Sequence, residues 1–185
     1  HGIGRRQRQM CIRDSNCIEL KKLNLSRLIS IKVNKKEIGS DRLANAISVM
    51  NKKKNFIVVD FGTATTFDVI KKNDYLGGVI APGVTLSLDN LIKKASLIPH
   101  IKLNKSKSII GKNTKQAVLS GFFWGYNGLI NGIISKIKKK TNQKYKIIFT
   151  GGLAHLFNKD IKDKITVDKN LTINGLIKVS KHFNL

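Results

Sequence analysis

Cysteine is nearly absent from this 185-residue sequence, and both copies, Cys11 and Cys17, lie near its start. No disulfide framework can brace the fold, and without nearby histidines the pair makes a poor zinc site. No stretch approaches the ~18 uninterrupted apolar residues of a membrane span, so no membrane partner is expected. Aromatic residues make up only 6% against 41% hydrophobic residues overall, enough for a lightly aromatic globular core, and the length suits one compact domain or one and a fraction. No fixed-period repeat and no Pro/Ser-rich linker divides the chain. A reducing, cytoplasmic setting is the simplest expectation.

Acidic residues are also scarce: 11 stand against 35 basic ones, for a formal net charge of +24. Such a charge raises the possibility of a nucleic-acid surface. The pattern argues against specific nucleic-acid binding. Lysines come as scattered pairs and triplets, such as Lys52 to Lys54, Lys71-Lys72, Lys93-Lys94 and Lys138 to Lys140, mostly at the ends of apolar segments. Only Arg27 and Arg42 lie beyond residue 15, and arginine is the better reader of bases and phosphates. Weak, nonspecific adhesion at low salt is the expected consequence. The first fifteen residues, "HGIGRRQRQMCIRDS", hold four of the six arginines and no lysine. Without a secretory apolar core or any sustained period, they read as a disordered or foreign extension.

Beyond that tail, strand and helix patterns alternate, which implies an α/β fold. "LISIKV" (28 to 33) reads as a short strand and "SDRLANAISVM" (40 to 50) as a helix with Leu43, Ile47 and Met50 on one face. "FIVVD" reads as a buried strand ending on Asp60, "TTFDVI" as a second, and "YLGGVIAPGV" as a strand broken by Gly77-Gly78. Helices are expected over "TLSLDNLIKKA", from Asn113 to about Lys138, and over "LTINGLIKVSKHF"; strands are expected at "YKIIFT" and "ITV". In the long helix Gly121, Gly125, Gly128 and Gly132 share one face, where a strand or second helix could approach.

The chemistry concentrates in "NFIVVDFGTATTFDVI" (55 to 70). Gly62 allows a sharp turn that brings N–H groups close to a ligand, and Thr63, Thr65 and Thr66 add hydroxyls without bulk. Asp60 at a strand end can hold a cation or orient a nucleophile. Together they would make a phosphate cradle beside a carboxylate. A plain hairpin of Thr-rich strands fits the same residues, and both readings stand on this stretch alone. "TGG" (150 to 152) is a second glycine turn after an apolar strand. Other nucleotide signatures fail: "SIIGKNT" lacks the first glycine and the Lys-Ser/Thr of a P-loop, "GGVIAPGV" has no lysine, and no G-x-G-x-x-G occurs.

Six motifs in order, "IGSDRLANA" (38 to 46), "VVDFGTATTFD" (58 to 68), "GGVIAPGV" (77 to 84), "IGKNTKQAVLSG" (110 to 121), "TGGLA" (150 to 154) and "NLTINGL" (170 to 176), resemble those of type III pantothenate kinases. The resemblance covers nearly everything from about residue 28 onward. It implies an actin-like, ribonuclease H-like ATPase fold, a mixed sheet flanked by helices, that phosphorylates pantothenate with ATP in the first step of coenzyme A synthesis. It further implies magnesium, a monovalent cation (potassium or ammonium), and a homodimer that completes the pantothenate pocket.

By the same resemblance Asp41 is the proton acceptor, and Gly39, Ser40, Asp41 and Arg42 form a pantothenate-binding turn, with Arg42 toward the carboxylate. Thr114 contacts pantothenate, Gly62 and Thr63 contact ATP, and Asp60 holds the monovalent cation. The alternatives for Asp41 and Arg42 are a helix N-cap and a surface ion pair.

Two departures stand out. Nothing in residues 1 to 54 matches the family's first Asp-x-Gly-Asn-Thr phosphate motif, so residues 16–54 are read as the end of a first actin-like domain and 55–185 as the second. Lys32 also occupies a position where the family usually has a tyrosine. An isolated chain of this sequence is accordingly expected to turn over poorly. The competing function is a non-catalytic regulatory or binding protein on the same scaffold.

Overall fold

The computed structural model describes residues 18–185. The expected N-terminal extension and both cysteines lie outside the described residues. Three single helical turns, Leu20–Lys22, Leu25–Arg27 and Lys35–Glu37, surround the two-residue strand β1 (Ser30–Ile31), shorter than the "LISIKV" reading. Then follow helix α1 (Ser40–Val49), the meander β2 (Asn55–Phe61), β3 (Ala64–Lys71) and β4 (Asp74–Pro82), and helices α2 (Val84–Lys94) and α3 (Thr114–Thr141). Strand β5 (Lys146–Gly151), the single turn α4 (Ala154–Phe157), β6 (Ile165–Val167) and α5 (Leu171–Phe183) complete the chain.

The six strands lie in the order β1-β4-β3-β2-β5-β6. β2, β3 and β4 are antiparallel, whereas β5 runs parallel to β2, β6 parallel to β5, and β1 parallel to β4. This is the mixed sheet flanked by helices that the motifs imply. The period-2 pattern of β2 assigns its two faces. Phe56 and Val58 pack with Leu43, Ala46 and Ile47 of α1 and Leu171 and Val179 of α5. Ile57, Val59 and Phe61 pack with Phe123, Ile130 and Ile134 of α3 and with Phe149 and Phe157. Three layers result, with α1 and α5 on one side of the sheet and α3 on the other.

Three sequence readings are corrected here. β2 does not end on Asp60 but runs through it to Phe61. β4 is not broken by its glycines; it continues from Asp74 to Pro82. The register passes from Val69↔Gly77 to Ile70↔Tyr75, so Leu76 is extra and Gly77, at φ 98°, absorbs the bulge. Helix α3 runs three residues past the expected end and stops on Asn142 in the left-handed conformation, a common helix terminator.

The glycines divide sharply by role. A Cβ at Gly175 would stand 1.9 Å from the Ala44 carbonyl oxygen, so this residue lets α5 lie directly against the backbone of α1. On α3, by contrast, a Cβ at Gly121, Gly125, Gly128 or Gly132 would meet nothing within 4 Å. No strand or helix of this chain covers that face among the described residues.

Lysines scattered in sequence also converge. Lys53, Lys54, Lys144 and Lys146 line one shallow cavity with Asn55, and Lys71 opposes Asn55 in register. Asn55 donates from Nδ2 to the Lys144 carbonyl (3.1 Å) and accepts the Lys72 N–H (3.2 Å). The start of β2 is therefore a basic end, and Asp60 lies roughly 17 Å along the same strand.

The glycine contrast gives the first prediction. Gly175→Ala should lower the urea midpoint by an amount equivalent to about 1–3 kcal/mol, because backbone must move apart. Gly128→Ala should raise it by up to ~1 kcal/mol in the monomer, the intrinsic helix preference of alanine. Equal effects at the two positions would contradict the packing described.

Candidate functional site

The alternation that buries Phe56 and Val58 continues to Asp60, placing a carboxylate at the end of the α1/α5 face. Register sets Thr66 opposite Asp60 on one side and Thr150 on the other, so three strands contribute a polar row. Asp60 Oδ2 accepts a hydrogen bond from Asn45 Nδ2 (2.9 Å), and Asn45 Oδ1 accepts from the Thr172 hydroxyl (2.7 Å). The chain Thr172–Asn45–Asp60 thus ties α5, α1 and β2 together. Gly151, at φ 86°, leaves the room this needs: a Cβ there would stand 2.6 Å from Asp60 Oδ1. Burial pushes the Asp60 carboxyl upward, Asn45 pulls it partly back, and the charge of Asp41 adds to the rise.

Asp41 is the second residue of α1, one helical turn before Asn45 and therefore on the same helix face. It is exposed, and its carboxylate folds back over Gly39, where a Cβ would lie 2.3 Å from Oδ1. Gly39 is the N-cap and no side chain caps the helix, so the N-cap alternative for Asp41 does not hold. Ser40 opens the helix and is half-buried.

Arg42 is not a surface ion pair either. Its Nε (2.8 Å) and Nη2 (2.7 Å) both donate to Oδ1 of Asp68, a fully buried carboxylate on β3. The buried Tyr75 hydroxyl donates to the same oxygen at 2.6 Å. Burial works against the Arg42 charge, but Asp68 more than offsets it and raises the guanidinium pKa. Burial likewise raises Asp68, with Arg42 pulling it back incompletely. Gly78 keeps the space for this contact, since a Cβ there would meet Nη2 at 2.9 Å and the Phe67 carbonyl oxygen at 1.9 Å.

Gly62 and Thr63 form the exposed two-residue tip of the β2–β3 hairpin, with the Gly62 N–H on the Ala64 carbonyl (3.1 Å). Gly62 has no positive φ and its Cβ position is uncrowded, so the turn itself does not require glycine there. The crowded glycine is Gly83, whose Cβ would come within 2.1 Å of the Thr63 carbonyl oxygen; it lets the start of α2 close against the tip. The three threonines diverge: Thr63 is exposed, Thr65 is buried beside Phe61, and Thr66 faces Asp60. The strand-turn-strand is thus a hairpin in geometry, which leaves the cradle reading to function.

Thr114 is the exposed first residue of α3, capped by Asn113, whose Oδ1 accepts the Gln116 N–H (2.9 Å). Because α3 and α1 pack on opposite faces of the sheet, this chain does not bring Thr114 into the Asp41–Asp60 group. Lys32 pairs with Asp74 (3.6 Å) at the edge of β4. Sequence reasoning passed over Asn45, Asp68, Tyr75 and Thr172. The available signal was a polar residue within each buried run, Asn45 between Ala44 and Ala46 above all.

The family model for type III pantothenate kinases matches residues 4–136. The chain belongs to the type III pantothenate kinase family. It is 63% identical over 164 residues to the type III pantothenate kinase of Pelagibacter ubique, covering 89% of this chain and 66% of that protein, so it spans just under two-thirds of the relative's length. Its fold is similar to a protein from Campylobacter jejuni assigned to the Baf family of transcriptional activators (TM-score 0.64, 25% identity, 88% of this chain and 74% of that one). A protein from Sinorhizobium meliloti assigned as 2-dehydro-3-deoxygalactonokinase shares the fold (TM-score 0.55, 11% identity, 77% of this chain and 58% of that one). What these chains share is the architecture, a mixed sheet flanked by helices.

The raised Asp60 carboxyl sets the sign of a pH effect. A folded-state pKa above the unfolded value means that the folded protein holds the proton more tightly. Stability therefore falls as pH climbs from the unfolded value through the raised one, and the cost persists at neutral pH. Asp60→Asn should melt at the same or a higher temperature than the parent at pH 7, and that advantage should shrink as pH is lowered toward 4. A parent that is the more stable at pH 7 in a cation-free, large-counterion buffer would contradict this.

Proposed function

We propose that this chain supplies the acceptor half of an ATP-dependent pantothenate kinase, with Asp41 as the proton acceptor. The observation that carries the reading is the arrangement at the head of α1. An exposed carboxylate, uncommitted as a cap, stands beside a guanidinium anchored from within the fold, next to the Asp60 row. Phosphoryl transfer needs alignment, an acceptor for the alcohol's proton, and cations against developing charge. The pantothenate hydroxyl would pass its proton to Asp41 as its oxygen attacks the γ-phosphorus, and the bond to the β–γ bridging oxygen would break to release ADP. Arg42, with Gly39 and Ser40, would hold the pantothenate carboxylate. Gly62 and Thr63 at the hairpin tip would meet ATP.

A monovalent cation, potassium or ammonium, fits the donor set. Asp60 Oδ1 has no hydrogen-bond donor among the described residues, and the buried Thr66 hydroxyl has no partner. These are hard oxygen ligands, and a cation there would offset the carboxylate that burial penalises. No cluster of three or more His, Cys, Asp or Glu residues able to hold a metal occurs among the described residues. Magnesium would depend on the ATP phosphates, as it commonly does.

Association into a homodimer is part of the reading. Thr114 lies on the face of the sheet away from Asp41, and the α3 glycine face is open, with an apolar groove against Pro82, Leu91, Phe122 and Leu129. A second copy laid on that face would cover the groove and bring in a Thr114. No described helix is long and apolar enough to cross a membrane. The regulatory alternative finds its support only in the description of the Campylobacter neighbour.

The 185 residues contain no Asp-x-Gly-Asn-Thr motif, so turnover by this chain alone should be low, because such catalysis rests on positioning. The decisive assay is phosphorylation of pantothenate by the chain joined to the N-terminal part of its Pelagibacter relative. Asp41→Asn should lower kcat by roughly 10²–10⁴-fold with an unchanged melting temperature. Asp60→Asn should instead weaken the cation site and make turnover more dependent on added potassium. Near-normal turnover by Asp41→Asn would remove the proton-acceptor assignment.

A further inference from the structure

Asp68 and Tyr75 have no part in the reading above, yet they surround one of its central side chains. A guanidinium is planar and presents two usable edges, a side edge carrying Nε–H with one Nη2–H, and an end edge carrying Nη1 with the other Nη2–H. In Arg42 the side edge is spent inside the protein, at 2.8 and 2.7 Å from Asp68 Oδ1. No protein acceptor meets Nη1 among the described residues, and the Arg42 side chain keeps 13% of its surface exposed. The end edge therefore remains for a ligand, and its two parallel N–H groups match a carboxylate.

Such an edge is useful only if it is held still, because free arginine carries many rotamers. Asp68 alone would hold it loosely. A single carboxylate oxygen accepts both guanidinium bonds, and rotation about the aspartate side chain would swing the whole group. The Tyr75 hydroxyl donates to that same oxygen at 2.6 Å from the neighbouring strand, with its ring buried among Leu43, Ile47 and Ile70. The carboxylate is thereby fixed from two directions. Its other oxygen, Oδ2, is buried without a partner, which a carboxylate serving stability alone would not favour. Gly78 completes the slot by admitting Nη2 against β4.

We infer that Asp68 and Tyr75 are positioning residues for Arg42: they lock its side edge within the fold so that the end edge stands ready to receive the carboxylate of the acid substrate. The identity of that acid as pantothenate rests on the functional reading above, whereas the locking does not. Tyr75 acts at one remove, through Asp68, and touches neither substrate.

The test uses the 185-residue chain and separates the two claims. First, hydrogen exchange at the Arg42 Nε–H is followed by NMR without ligand, the resonance being assigned by its loss in Arg42→Lys. The parent should show a slowly exchanging Nε–H. Tyr75→Phe, which keeps the ring and removes only the hydroxyl, should speed exchange at least about tenfold while the melting temperature moves by only a few degrees. Asp68→Asn, which keeps an acceptor oxygen but removes its charge, is the second variant and should also speed exchange.

Second, pantothenate and ATP are titrated separately into the parent and Tyr75→Phe. Pantothenate affinity should fall about 5- to 20-fold, and ATP affinity should not change. A merely structural role would weaken both ligands together with stability. Unchanged Arg42 exchange in Tyr75→Phe, or equal losses for both ligands, overturns the inference. A parent that shows the protected Nε–H and its release in Tyr75→Phe, yet does not bind pantothenate, upholds the locking and counts against the substrate reading.

Discussion

The buried pair between Arg42 and Asp68 is the constraint on which the site depends. It joins the first turn of α1 to the middle of β3, and so fixes where Asp41 stands relative to the Asp60 row. Apolar contacts alone would allow α1 to slide along the sheet, since Leu43, Ala46 and Ile47 present a smooth stripe. A charge pair with one partner wholly desolvated admits a single register, because any displacement leaves a buried ion uncompensated. Gly175, packed on the Ala44 carbonyl, and the Thr172–Asn45–Asp60 chain hold the same helix from its other side.

The charge balance around α1 explains why stability and function pull apart here. Asp41, Asp60 and Asp68 stand near one another with Arg42 as the local cation, and Arg42 is already committed to Asp68. The remaining field is negative, although the protein as a whole carries +24. The two anionic substrates proposed for this site would be repelled from such a place unless cations came with them, which is what the proposed monovalent ion and magnesium would supply. Lys53, Lys54, Lys71, Lys144 and Lys146 meanwhile gather at the far end of β2, where Asn55 bonds to the backbone of Lys144 and Lys72.

Much of the fold was legible because local pattern and tertiary environment agree. β2, α1, α2 and α5 follow from period and punctuation, and the α5 boundaries fall where "LTINGLIKVSKHF" places them. Where readings failed, a distant contact decided the outcome. β4 continues through Gly77-Gly78 because a bulge absorbs the extra Leu76, which depends on the register with β3. Asp60 does not end its strand because β5 continues beside it. The site was half legible: the motif residues Asp41, Arg42 and Asp60 do come together, while Thr114 does not join them within one chain. The partners that fix them were hidden by separation, with Asp68 lying 26 residues from Arg42 and Thr172 lying 127 from Asn45. Pairing of this kind has no local signature beyond a polar residue set in an apolar run.

A double-mutant cycle on Arg42 and Asp68, read by urea unfolding, tests the central claim most directly. Arg42→Met and Asp68→Leu should each cost about 3–5 kcal/mol, because each leaves a buried charge without its partner. The double variant should cost much less than their sum, with a coupling energy of at least ~2 kcal/mol. Additive losses within about 0.5 kcal/mol would show that the two side chains stand near each other without holding α1 in place.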